Sequence, residues 1–125
     1  LIASNVSVMN GSQQHGTERL DIPIRDQAGV FVPVTIGEGA WVGERSVIAA
    51  DVGRHAIIGA GAVVTKPVPD YAIVAGNRAQ IVRMRFAPDD IAALNRIAWW
   101  HWPIDKIVAH EDAITGGRIA DLARL

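Results

Sequence analysis

From Ile36 an aliphatic residue recurs at every sixth position, in "IGEGAW" and "VGERSV" with Ile48 next, and again in "VGRHAI" and "IGAGAV" from Val52 with Val64 next. The second position of these units is glycine (Gly37, Gly43, Gly53, Gly59) and the fifth is a small Ala or Ser. A strand alternates with period two and a helix with a period of about 3.6, so a glycine-bearing sixfold repeat needs a turn in every unit. The hexads predict short strands joined by corners. Their aliphatic residues stack inside a parallel β-helix, and their glycines relieve backbone angles that a Cβ disfavours. Ile48 and Val52 stand closer together, and "IAAD" reads as a shortened hexad with a tightened corner.

The chain opens with "LIASNVSVM", already in an apolar-stepped pattern and starting on Leu1, and reads as the later part of a longer protein. Between this segment and the hexads lies the polar stretch "NGSQQHGTERLDIPIRDQAG", in which apolar residues follow no helical or strand period. It reads as a loop extruded from the coil between Asn10 and about Val32. After the hexads, Pro67 and Pro69 remove backbone donors, so the coil is expected to end at "VTKPVPDY", followed by an extended segment. "APDDIAALNRIAWW" then predicts a helix, with Pro88 at its start, Asp89 and Asp90 complementing the dipole, and Ile91, Leu94 and Ile97 at helical spacing. "WPIDKIVAHEDAI" predicts a second helix, stopped by Gly116 and Gly117. Trp99, Trp100 and Trp102 supply the area that short amphipathic helices must bury. The expected organisation is a β-helix over residues 1–85 with its loop at 10–32, and a helical tail over 86–125.

Composition narrows the chemistry. Twelve Lys and Arg stand against thirteen Asp and Glu, with no basic run, which leaves out the electrostatic footprint of a nucleic-acid binder. Without cysteine there is no disulfide framework, thiolate zinc site or cysteine nucleophile. No apolar stretch is long enough to span a bilayer and no signal-peptide pattern opens the chain, so a cytoplasmic location is expected. His15 is the single histidine of the loop. A flat-faced coil has no pocket of its own, whereas a projecting loop can wall one, and an imidazole near its ordinary pKa suits general-base work at neutral pH. His55 falls near a corner and reads as surface, His101 as packing or capping among the tryptophans, and His110 as part of the second helix.

"IGEGAWVGERSVI", "IGAGAVVTKPVPDYAIVAGNRAQIVRMRF" and the insertion containing "HG" resemble the hexapeptide-repeat acyltransferases. The loop "HGTERLDIPIRDQ" is closer to sugar and polysaccharide O-acetyltransferases, and the tail "DDIAALNRIAWWHWPIDKI" is similar to the end of the xenobiotic (chloramphenicol and streptogramin) acetyltransferases. The resemblance implies an all-β left-handed parallel β-helix with a C-terminal α-helical appendage. Left-handed winding comes from the resemblance alone, since β crossovers otherwise prefer the right hand. It also implies acetyl-CoA as acyl donor, His15 as the base that takes the proton of a saccharide hydroxyl, and a homotrimer with its clefts between subunits. Carried over by position, Trp41 flanks the coenzyme channel, Thr65 and Lys66 lie near the nucleotide end, and Arg83 or Arg85 pairs with phosphate. Where the family usually has Pro after Asn in "AGNRAQ", this chain has Arg78.

Three alternatives stand beside this reading. One is a xenobiotic O-acetyltransferase, suggested by the tail. Another is an inactive trimeric scaffold. The γ-class carbonic anhydrases also use left-handed β-helices, with histidines holding a metal between subunits, but only His15 and His55 fall near the coil here, and no metal is expected.

Overall fold

A computed structural model describes all 125 residues. It divides into two units, Leu1–Arg85 and Phe86–Leu125. The first is a parallel β-helix, built from β1 (Ser7–Val8), β2 (Trp41–Val42), β3 (Val47–Ile48), β4 (Ile57–Ile58), β5 (Val63–Val64), β6 (Ala72–Ala75) and β7 (Gln80–Met84). Two faces carry the sheets β1-β3-β5 and β2-β4-β6-β7, and a third is marked by the parallel bridges Ile36–Val52–Val68.

Register fixes the coil at 16 residues, from Trp41 to Ile57 to Ile73 and from Val47 to Val63. Each coil therefore has two six-residue sides and one four-residue side. The short side is not a single irregularity, because it recurs as Val64–Val68 after Ile48–Val52. Three inward columns result: Val42, Ile58 and Val74; Ile48 and Val64; Val52 and Val68, all buried. Fully burying one such side chain is worth about 1.5–3 kcal/mol. The small fifth positions, Ala40, Ser46, Ala56 and Ala62, are buried beside them.

The hexad glycines act differently from the expectation. Left-handed backbone occurs two residues later, at Gly39 (φ 67°), Arg45, His55, Gly61 and Tyr71. Gly37, Gly43 and Gly53 instead allow the next coil to approach; a Cβ on Gly43 would lie 2.6 Å from the Ala60 nitrogen and the Ile58 oxygen. The coil also runs past the prolines. Val68 bridges Val52 and β6 pairs parallel with β4, so "VPDYAI" is one more hexad with Pro69 in the glycine position. β7 then folds back antiparallel on β6 and ends the stack.

Near the other end, β1 pairs with β3 in the register Ser7–Val47, a step of 40 residues where later coils take 16. The polar loop accounts for the difference. It leaves after β1 and re-enters before Ile36, without disturbing the ladder on either side.

In the second unit, α1 (Pro88–Ile97) buries Leu94 and ends at Ala98, which is left-handed (φ 42°) and donates its N–H to the Leu94 carbonyl. The expected second helix is two, α2 (Ile104–Ala109) and α3 (Glu111–Thr115), divided at His110 (φ −119°), with a further short α4 (Ile119–Leu122) after Gly117. α4 packs on α1 and α3. Trp102 lies beneath the Lys106 ammonium, 3.9 Å from its ring centre, and edge-on to His110. No helix is long and apolar enough to cross a membrane.

Candidate active site

The loop is more ordered than its composition predicts, since its order comes from backbone pairing. Val32 N–H donates to the Asn10 carbonyl (2.9 Å), Val30 to Gln13 (2.7 Å) and Gly16 to Gln27 (3.4 Å), and His15 faces Ala28 across an antiparallel bridge. The two strands come close enough that Gly29 has no room for a side chain: its Cβ would lie 2.1 Å from the Gln14 carbonyl carbon.

Beyond this ladder the chain folds around Gln27, which with Ser46 makes up the buried polar residues. Its Oε1 accepts from Arg19 N–H (3.1 Å), and its Nε2 donates to the carbonyls of Arg19 (3.0 Å) and Ile22 (3.2 Å). A primary amide thus pairs with the Arg19 peptide as a second strand would. Arg19 also pairs with Asp21 and holds that carboxyl below its ordinary range, an exposed ion pair of small energetic weight.

His15 is exposed, and its Nδ1 lies 3.4 Å from the Gln27 carbonyl oxygen. It lines an open cavity of about 330 Å³ with Ser12, Gln13, Thr17, Glu18 and Val30. On this lining hydroxyl, amide and carboxylate groups stand beside the imidazole. The other side of the loop, with Val30, Val32, Val34, Ala49 and Pro67, is largely apolar.

None of the candidate coenzyme residues lines the His15 cavity. Trp41 is half exposed and heads an outward row, Trp41–Ile57–Ile73–Arg83, across the second sheet. Thr65 and Lys66 are exposed on the short side after β5, and Lys66 lines a cavity of about 180 Å³ with Gln80 and Ile81. Arg83 is exposed, and its Nη1 reaches the Met84 carbonyl (3.3 Å). Arg85 is engaged at a corner, where its Nη1 donates to the His55 carbonyl (2.9 Å) and its guanidinium lies 5.6 Å over the Tyr71 ring.

His55 is not on the free surface. Its ring stacks on Tyr71 (centroids 4.9 Å apart), in space kept open by Gly39, whose Cβ would lie 2.2 Å from the imidazole Nδ1. Burial, and after it Arg85, holds the His55 pKa below the ordinary imidazole value. His101 stands edge-on to Trp100, and no three His, Asp or Glu side chains gather in a metal-holding group.

Residues 33–66 match the family described as bacterial transferase hexapeptide (six repeats). This chain carries that hexapeptide repeat. Over an alignment of 132 positions this hexapeptide-repeat chain is 36% identical to a chloramphenicol acetyltransferase of Agrobacterium fabrum, covering 94% of itself and 63% of that protein. Among solved structures it is similar to a galactoside acetyltransferase in complex with coenzyme A (TM-score 0.53, 27% identity, 68% of this chain and 42% of that one). A maltose O-acetyltransferase from Clostridium difficile 630 shares the fold (TM-score 0.57, 24% identity, 69% and 45%). The chain spans less than two thirds of the length of the curated relatives it matches first, 63% of one and 43% of the next.

Gln27 and Gly29, which organise the loop, carry no sequence signal of their own. Asn10-Gly11 at its start and Ala28-Gly29 within its returning strand are the nearest thing to a hairpin mark.

Proposed function

We propose that the chain is the core of an acetyl-CoA-dependent O-acetyltransferase in which His15 is the general base. The carrying observation is that the loop histidine is held by an ordered backbone ladder at the edge of a polar cavity. An acceptor hydroxyl gives its proton to the imidazole as its oxygen attacks the thioester carbonyl. The carbon–sulfur bond then breaks, and the proton passes from the imidazolium to the departing thiolate. A thioester is already activated, so the step needs neither a covalent nucleophile nor a metal. The acceptor we favour is a saccharide, whose hydroxyls suit Ser12, Thr17 and Glu18 in the cavity wall.

A second reading, acetylation of an antibiotic alcohol, is favoured by the 36% identity to a chloramphenicol acetyltransferase over nearly the whole chain. Both readings put coenzyme A at the outward row headed by Trp41, with Lys66 and Arg83 toward its phosphates. Arg85 is the weaker phosphate candidate, because its guanidinium is already engaged.

Three copies wound as left-handed coils would cover the exposed Trp41, Ile81 and Val82 and bring the His15 loop of one subunit to the coil of the next. The test is thiol release from acetyl-CoA with saccharides, chloramphenicol and streptogramins as acceptors. Turnover on saccharides supports the first reading and turnover on an antibiotic the second. Turnover on none of them in a trimeric, coenzyme-binding protein would leave the inactive scaffold.

A further inference from the structure

We infer that Gln27 is a positioning residue that sets the tautomer of His15. This rests on the reading of His15 as a base, and adds how the chain keeps one ring nitrogen free for the proton.

A backbone carbonyl can only accept a hydrogen bond. The Gln27 oxygen lies 3.4 Å from Nδ1 of His15, so the neutral ring that satisfies this contact carries its hydrogen on Nδ1 and its lone pair on Nε2. Free imidazole side chains favour the opposite form, with the hydrogen on Nε2. The protein must therefore hold the carbonyl in place, and the Gln27 side chain is built to do so. It is 5% exposed in a loop that is otherwise largely open to solvent, and its amide satisfies three backbone groups, the N–H and carbonyl of Arg19 and the carbonyl of Ile22. Its own N–H donates to the Ile24 carbonyl (3.0 Å), and its carbonyl also receives Gly16 N–H. The residue whose carbonyl faces His15 is thus held at its side chain, its N–H and its carbonyl. An apolar residue here would strand the carbonyls of Arg19 and Ile22. A glutamate would set its carboxylate against them, because it cannot donate.

The experiment is nitrogen NMR of the imidazole rings in the full chain, with the His15 signals assigned by their loss in His15→Ala. At a pH where the ring is neutral, His15 of the parent is expected chiefly as the Nδ1–H form. In Gln27→Ala and Gln27→Glu it should move toward the Nε2–H form, while the signals of His101 and His110 stay in place. Turnover should fall about tenfold or more in both variants, with the KM for acetyl-CoA within about twofold of the parent. A parent His15 found as Nε2–H would overturn the inference even if neither variant folds, and so would an unchanged tautomer in the variants. If the tautomer shifts as expected but His15→Ala keeps normal turnover, Gln27 still positions the ring and only the base assignment fails.

Discussion

Gly29→Ala is the sharpest perturbation of the loop, because the strain it introduces is local and large. The added methyl would lie 2.1 Å from the carbonyl carbon and 2.2 Å from the oxygen of Gln14, and 2.5 Å from the oxygen of Gln13. Carbon atoms rest about 3.5–4.0 Å apart, so the two strands must part by more than an ångström. These are backbone atoms, so no rotamer change relieves the overlap. The Val30–Gln13 bond (2.7 Å) and the longer Gly16–Gln27 bond (3.4 Å) are the first to go, at about 0.5–1.5 kcal/mol each. A misplacement of about 1 Å at a reacting group costs on the order of 10²-fold in rate, and His15 lies next to the displaced Gln14. The coil is held by its own columns, so its melting midpoint should fall by no more than about 2 °C. Amide exchange at Val30 and Val32 should become fast, and acetyl transfer should drop about a hundredfold. Retained protection at Val30, or turnover within threefold of the parent, would refute the reasoning.

In the coil, Ile58→Ala removes the middle of the Val42–Ile58–Val74 column and should cost about 2–5 kcal/mol by urea denaturation, whereas a cost below 1 kcal/mol would mean that the column is not the core. His55 should make stability depend on pH. Its folded pKa lies below its unfolded value, so the unfolded chain takes up the proton first and stability falls as pH drops through about 6.5, levelling off once the folded ring also titrates. His55→Asn, which tolerates the left-handed corner, should flatten that part of the melting-temperature profile between pH 7.5 and pH 5.5, and an identical profile would remove His55 as its source. Lys66→Glu, at an exposed site, should weaken acetyl-CoA binding a few-fold in calorimetry at low salt and leave the melting temperature unchanged; unchanged affinity would assign Lys66 to the solvated surface.

Much of the coil is legible in the sequence because its hexads repeat the same demands: an aliphatic residue inward, a small residue beside it, and, at Gly37, Gly43 and Gly53, a position with no room for a Cβ. The last of these is a matter of approach between coils, as at Gly43, and that cannot be told from conformational freedom until the neighbouring coil is in place. "VTKPVPDY" looks like an ending because proline cannot donate. Yet Val68 N–H still bonds the Asp51 carbonyl, and the prolines occupy positions 67 and 69 on either side of it. His15 stands out by residue type, whereas the order of its loop does not. That order rests on backbone pairs and on one glutamine amide imitating a peptide, neither of which produces a period. His55 looks like a surface residue because its cover, Tyr71, comes one full coil later in the chain.

The most direct test of the account is His15→Ala, measured for turnover, coenzyme affinity and assembly in the same preparation. Loss of a positioned general base removes a factor of about 10² to 10⁴ in rate. The predicted result is that loss in turnover, with acetyl-CoA affinity and oligomeric state unchanged. Turnover within threefold of the parent in the alanine variant would contradict it.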